Sequence, residues 1–201
     1  MHLALIQGFL TSAALIIAIG AQNAFVLRCG LRREHVLAVV LVCALSDALL
    51  ITLGVVGLGA LVQRSPALLA VARYGGALFL IGYGMLAARR ALRAEALVAA
   101  GGAALSLRAA LAACLAFTYL NPHCWLDTVV LLGSIASQQP PASRAWFGVG
   151  AASARFAWFF ALGFGARVLR GVFERPLAWK LLDAAIALVM WGIGASLLLG
   201  H

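Results

Sequence analysis

Gly20-Ala21-Gln22-Asn23-Ala24-Phe25 lies within a charge-free, otherwise apolar run that extends from Leu3 to Leu27. A second polar group, Asn121-Pro122-His123-Cys124-Trp125-Leu126-Asp127, lies within another apolar run. Polar side chains are costly where water is scarce, and inside membrane segments they mark substrate and ion pathways. The two groups therefore predict a transport pathway through a membrane.

The composition places the whole chain in a bilayer. Hydrophobic residues make up 65% of the sequence and charged residues 10%, with a mean hydropathy of +1.05, which no soluble core of this size could bury. A membrane helix needs about 20 apolar residues, and six such spans are predicted, at 3–27, 36–62, 66–88, 109–137, 145–169 and 178–199. Residues 89–108 form the one long loop. We expect an all-α polytopic membrane protein with a single transmembrane domain over 1–201.

The basic residues predict the orientation of the spans. The first, third and fifth loops and the span residues beside them contain Arg28, Arg32, Arg33, Arg89, Arg90, Arg93, Arg108, Arg167, Arg170, Arg175 and Lys180. The second and fourth loops and the span residues beside them contain only Arg64, Arg73 and Arg144. By the positive-inside rule the odd loops face the cytoplasm and both termini face outward. The net charge of +9 is thus a signal of topology, and nucleic acid is not an expected partner.

Six spans can be divided into two sets of three, and an odd number in each set makes the second set enter the membrane from the opposite side. Two inverted three-helix repeats are common in secondary transporters. Gly57-Leu58-Gly59-Ala60-Leu61 resembles Gly163-Phe164-Gly165-Ala166-Arg167, and Gly82-Tyr83-Gly84 resembles Gly192-Ile193-Gly194. The same small residues could instead form contact faces between helices, including those of a homodimer.

The repeat sets Gln22 and Asn23 opposite Asn121 and Pro122, where each half would be interrupted. Proline removes a backbone donor and clashes with the preceding turn, so Pro122 should break its span, as Gly20 should break the first. Backbone groups freed in this way can bind a substrate such as a carboxylate. The alternative is a packing kink whose polar groups are satisfied by neighbouring helices.

Three acids lie within the predicted spans. Asp47 lies about 16 Å into the second span at 1.5 Å per residue, near the membrane midplane, so its charge is the most costly; Asp127 ranks second and Asp183 third. An acid at this depth can bind a cation, carry a proton, or form an ion pair with Arg155, the one basic residue near the middle of the fifth span. His123 is a further candidate proton carrier, unless it is hydrogen-bonded to a neighbouring helix.

Other kinds of site are not expected. Cys29, Cys43, Cys114 and Cys124 show no Cys-x-x-Cys spacing, so neither a metal site nor a cofactor is predicted. No Gly-x-Ser-x-Gly or His-Glu-x-x-His motif occurs, and the protein is not expected to be an enzyme.

The order of these motifs resembles a known family. Gly20 to Arg28, Gly30 to His35 and Cys43 to Ala48 resemble the first half of the LysE/ArgO family of basic amino-acid exporters, in the LysE superfamily. The second half of that family resembles Asn121-Pro122-His123, Leu126-Asp127-Thr128 and Leu131-Leu132-Gly133-Ser134. Related homoserine and threonine exporters typically have Pro-Gly-Pro in place of Gly20-Ala21-Gln22. Cys124-Trp125 departs from the Val-Tyr of many relatives.

The resemblance implies an inner-membrane exporter of L-arginine or L-lysine, coupled to protons and working by alternating access. Asp47 and Asp127 would bind the cationic groups and compete for protons, and Asn121 with the broken backbone would bind the carboxylate. The alternatives are export of a neutral amino acid or another small cation, and a passive channel.

Overall fold

The computed structural model of this protein describes residues 1–17, 20–58, 66–92, 105–174 and 176–199. Regular structure in these residues is helical, with no strand among them. The α-helices are α1 His2–Ile16, α2 Ala21–Arg32, α3 Val36–Val55, α4 Pro66–Leu92, α5 Leu107–Tyr119, α6 Pro122–Cys124, α7 Leu132–Ser137, α8 Pro141–Gly165 and α9 Pro176–Leu199. A π-helix, Trp125–Leu131, joins α6 to α7, and a 3₁₀-helix, Ala166–Glu174, follows α8.

The predicted span 3–27 is not one continuous helix. Its two pieces, α1 and α2, meet at an angle of 82°. Gly20 caps α2 in an extended conformation, with φ −107° and ψ 170°. Within this first break Asn23 Nδ2 donates to the carbonyl oxygen of Ile16 at 2.7 Å, which satisfies one of the carbonyls that the end of α1 leaves free.

The predicted span 109–137 is also interrupted. α5 ends at Tyr119, and Pro122, which has no backbone N–H, begins the next helical turn, a position where proline is favourable. In this second break Cys124 N donates to the carbonyl oxygen of Asn121 at 3.0 Å. The π-helix that follows has a wider hydrogen-bonded turn than an α-helix, so it changes the direction in which later side chains point.

Other predicted span ends also differ from the structure, and α4 continues to Leu92, into the predicted loop 89–108. α3 ends at Val55 rather than near residue 62, because Gly57 adopts φ +97° and Leu58 N closes the helix end by donating to Leu53 O at 3.0 Å. α8 begins at Pro141, before the predicted residue 145, and gives way to the 3₁₀-helix after Gly165. Residues 59–65 and 93–104, which include part of one repeat motif and most of the predicted loop 89–108, lie outside the described residues.

Within the described residues, α3, α9 and α8 with its extension to Val168 are each long and apolar enough to cross a membrane. The bent pair α1 and α2 would be a fourth crossing if it is one span. α5 and the helix Trp125–Ser137 are apolar but shorter. The protein is therefore all-α with apolar helices of membrane-spanning length, and the count of six spans stays a prediction.

Glycines bring α1 and α8 into close contact. A Cβ atom on Gly8 would meet the carbonyl of Phe147, and one on Gly150 would meet the carbonyl of Leu5. Only a residue without a side chain permits this backbone approach, as is common between membrane helices.

A similar contact joins α3 to the second broken span. A Cβ on Gly54 would lie 2.6 Å from the carbonyl oxygen of Val129, and a Cβ on Gly133 would lie 2.6 Å from the carbonyl oxygen of Gly54. On α4, a Cβ on Gly76 would meet the carbonyl of Leu120, next to the second break. Small residues thus fix the positions of the helices around both breaks.

Candidate functional site

A cavity of about 250 Å³ lies where the two helix breaks meet. The first break contributes the amides of Gln22 and Asn23, and the second contributes the amide of Asn121, an acid and a thiol. The lining residues are Leu15, Ile16, Gly20, Ala21, Gln22, Asn23, Asn121, Cys124, Asp127, Thr128, Arg155 and Ile193. We call it the central cavity. It brings together Gln22, Asn23, Asn121 and Asp127, which the sequence singled out as candidate binding residues.

Gln22 connects the two breaks. Its Nε2 atom donates to Thr118 Oγ1 at 3.0 Å, and Cys124 Sγ lies 4.0 Å from its Oε1 atom. Thr118 in turn donates to the carbonyl oxygen of Cys114, one turn earlier on α5, at 3.0 Å. Gln22 is buried, so these contacts hold α2 against the second broken span.

Asn23 connects the first break to α8. Trp158 Nε1 donates to Asn23 Oδ1 at 3.2 Å, while Asn23 Nδ2 holds the end of α1. Both functional groups of this amide therefore fix the shape of the cavity wall.

Asp127 is the acid of the central cavity. It lies in the π-helix, is half-buried, and lines the cavity. None of the ion pairs among the described residues involves Asp127. Asp127 is therefore a cavity-lining acid whose charge is not matched by an ion pair among those residues.

Arg155 is the cation of the central cavity. Its Nη1 atom donates to Asp47 Oδ2 at 2.9 Å and its Nε atom donates to Ser12 Oγ at 3.0 Å. Arg155 Nη2 and Asp47 Oδ1 are buried without a hydrogen-bond partner among the described residues. Arg155 lines the cavity, whereas Asp47 does not and is 1% exposed. The acid ranked first from the sequence thus lies behind an arginine.

Asp183 belongs to a different cluster. It accepts hydrogen bonds from Arg28 and from Arg90 Nε, the latter at 3.3 Å. Arg155 and Asp183, the two ion-pair candidates of the sequence, therefore have separate partners. His123 lies in α6, and its side chain is outside the described part of the structure.

Sequence reasoning did not single out Ser12, Thr118, Thr128 or Trp158. Ser12, Thr118 and Thr128 are buried. A hydroxyl in an apolar helix needs a hydrogen-bond partner, and their positions within apolar spans could have identified them as candidates. The indole of Trp158 gave no such signal, because tryptophan is common in membrane helices. No group of three His, Cys, Asp or Glu residues within the described ranges is arranged to hold a metal ion.

Broken apolar helices that enclose a polar cavity are typical of membrane transport proteins. The model of the family described as LysE type translocator matches residues 13–201, and the chain belongs to that family. The resemblance to the LysE/ArgO family is thereby confirmed.

Three relatives show how far the similarity extends. A Mycobacterium tuberculosis protein named "Putative amino-acid transporter" is 47% identical over 182 residues, 90% of each chain. The arginine exporter protein ArgO of Serratia proteamaculans is 44% identical over 193 residues, 96% of this chain and 94% of that protein. The protein of the same name from Pectobacterium carotovorum is 40% identical over 198 residues, 98% of this chain and 97% of that protein. No solved structure matches this chain.

Proposed function

We propose that this protein is a secondary active exporter of basic L-amino acids, arginine or lysine, from the cytoplasm across the bacterial inner membrane. The names of two relatives that are 44% and 40% identical over nearly the whole chain support arginine as the substrate. Lysine rests on the motifs of the family and on the charge that it shares with arginine. The description of the family as one of translocators supports a transporter rather than an enzyme.

One observation carries the proposal: the central cavity presents an acid and an arginine together. A basic amino acid has one carboxylate and two cationic groups. Arg155, whose Nη2 atom has no hydrogen-bond partner among the described residues, would donate to the substrate carboxylate, and Asp127 would accept from a cationic group. The amides of Gln22, Asn23 and Asn121, with the carbonyls that the breaks free, would complete the contacts with the substrate.

Asp127 is also the favoured proton carrier. Export of a cation against an interior-negative potential costs about 2.3 kcal/mol per charge per 100 mV, and an inward proton offsets that movement. If a proton and the substrate cation compete for Asp127, the two are exchanged. Asp47 would contribute by holding Arg155 toward the cavity, and His123 stays a second candidate in the proton path.

The helix contacts support alternating access by two inverted repeats. An inverted repeat pairs the first span with the fourth, the second with the fifth and the third with the sixth. Under this pairing, the contact of α1 in the first span with α8 in the fifth corresponds to a contact of α3 in the second span with the second broken span, the fourth. The described residues form both contacts. The same pairing leaves the contacts of α4 with α9 and of α3 with α8 unchanged, and both of these exist as well. Rocking of the two halves would expose the central cavity to each side in turn.

Efflux from proteoliposomes tests the proposal. Radiolabelled L-arginine, L-lysine and L-leucine would be loaded separately, with and without an imposed pH gradient and with the membrane potential held constant. We expect gradient-dependent efflux of the basic amino acids, reduced at least about tenfold by Asp127→Asn, because a hydrogen bond to a charged group is worth about 1.5–3 kcal/mol. Asp127→Glu is the matched control and should keep part of the activity.

Three results would contradict the proposal. Efflux of leucine in place of arginine and lysine would make the protein an exporter of neutral amino acids. Efflux of basic amino acids that ignores the pH gradient would indicate a passive channel. Full gradient-dependent efflux in the Asp127→Asn variant would remove Asp127 from the mechanism.

A further inference from the structure

A second cavity, of about 170 Å³, lies beside the C-terminal half of α2. Basic and acidic side chains line it together, which is costly in an apolar protein unless the charges are matched. The lining residues are Phe25, Arg28, Cys29, Arg32, Glu34, Tyr83, Leu86, Arg90 and Leu105. We call it the loop-side cavity, because it lies among residues that border the first and third loops.

Arg90 is held in place by Asp183 and Tyr83. Its Nε atom donates to Asp183 Oδ1 at 3.3 Å, and its guanidinium carbon lies 5.3 Å from the centre of the Tyr83 ring. Its Nη2 atom is buried and has no hydrogen-bond partner among the described residues. The guanidinium is therefore positioned by the protein at the cavity wall, while one of its donors has no partner among the described residues.

The charges of this cluster do not balance. Arg32 Nη2 pairs with Glu34 Oε1 at 2.9 Å, and Asp183 serves both Arg28 and Arg90. Among the described residues of this cluster, three arginines thus face two carboxylates. One further carboxylate would neutralise the excess charge and occupy the free donor of Arg90.

The loop-side cavity is aligned with the central cavity along α2. Gln22 lines the central cavity and Arg28 lines the loop-side cavity, which places them about 9 Å apart at 1.5 Å per residue. Between them Phe25 packs against Phe117, with ring centres 5.4 Å apart, and Tyr83 packs against Phe117 at 5.0 Å. Both phenylalanines are fully buried. Aromatic rings therefore lie between the part of α2 that lines the central cavity and the part that lines the loop-side cavity.

We propose that the loop-side cavity is a second binding site, for the carboxylate of an α-amino acid. Arg90 Nη2 donates to the carboxylate, and Glu34, which lines the same cavity, accepts from the ammonium group. The inference rests on the proposed function: the substrate is held here before it passes the aromatic rings to the central cavity. The phosphate of an anionic lipid carries the same kind of charge, and the test distinguishes the two sources.

Equilibrium binding to the purified full-length protein tests the second site. The protein would be placed in nanodiscs of phosphatidylcholine, which has no net charge, and L-arginine binding would be measured in the Asp127→Asn background, where the central site is weakened. We expect binding to remain in that variant. Adding Arg90→Lys should raise the dissociation constant at least about tenfold, because lysine can pair with Asp183 but lacks a second nitrogen for the carboxylate.

Two controls separate carboxylate recognition from a general effect of charge or folding. Arg89→Lys changes the adjacent, exposed arginine, which does not line the cavity, and should leave the dissociation constant unchanged. Agmatine, which is arginine without its carboxylate, should bind the Asp127→Asn protein at least about tenfold more weakly than arginine. A monodisperse gel-filtration peak for each variant shows that it is folded.

Each remaining result has a definite meaning. If wild-type protein binds arginine and Asp127→Asn abolishes all binding, the second site is overturned while the proposed function stands. If Arg90→Lys folds and binds arginine as the background variant does, the second site is also overturned. The same holds if Arg90→Lys alters only the response to added phosphatidylglycerol, which would make the cavity a lipid site. If wild-type protein binds no basic amino acid, the proposed function itself fails.

Discussion

Arg155 contacts Asp47 and Ser12 with two of its nitrogens and lines the central cavity. The pair is almost completely buried, with side-chain exposures of 8% for Arg155 and 1% for Asp47. A buried ion pair of this kind is more important for the position of its members than for net stability, because both charges lose their hydration. Asp47 thus sets where the guanidinium points.

Loss of one partner should destabilise the protein strongly. Asp47→Asn leaves the Arg155 charge buried and uncompensated, which typically costs about 3–5 kcal/mol. The double variant Asp47→Asn, Arg155→Met removes both charges and should recover much of this loss. Thermal unfolding midpoints in detergent measure the effect, and a midpoint for Asp47→Asn equal to that of the wild type would contradict it.

At the scale of helices, the second break depends on a glycine of another element. A Cβ on Gly76 of α4 would meet the carbonyl of Leu120, the residue before Asn121. The break thus fits against α4 only because position 76 has no side chain. Pro122 ends the hydrogen-bonded ladder, and Gly76 provides space for the carbonyl that is turned out of it.

Gly76→Ala should therefore disturb the second break. The added methyl group must displace the Leu120 carbonyl, and overpacking of this kind costs about 1–3 kcal/mol. Arginine efflux should fall together with the unfolding midpoint. Gly82→Ala on the same helix is the matched control, since a Cβ there meets nothing within 4 Å. Equal behaviour of the two variants would show that the contact at Gly76 does not matter.

The helix breaks illustrate what could be predicted from the sequence. A glycine or proline beside polar residues in an apolar run indicates an interruption, because a broken backbone must be lined by polar groups. The composition likewise predicted apolar helices, and the order of motifs predicted the family, which is confirmed. The distinction between Asp47 and Asp127 could not be predicted in this way. Position along a span gives depth in the membrane, but the direction of a side chain depends on neighbouring helices.

At the scale of the whole molecule, the arginine distribution predicts which ends of the helices face the cytoplasm. Gly171 follows α8 in the predicted fifth loop, and Gln138 precedes α8 in the fourth; both are exposed. In a chain with Cys124 replaced by serine, a membrane-impermeant maleimide added to intact cells should label Gln138→Cys and leave Gly171→Cys unlabelled. After permeabilisation both should react. The reverse pattern would invert the proposed orientation.

The π-helix Trp125–Leu131 determines how this span would respond to the deletion of one residue. A π-turn holds one residue more than an α-turn over nearly the same rise, so this segment can lose a residue and still reach α7. Deletion of Val129 or Val130 would convert the turn to an ordinary α-helix and change the rotation of Asp127 relative to α7. The direction in which Asp127 points therefore depends on the rotational register of the helix, which the extra residue of the π-turn sets.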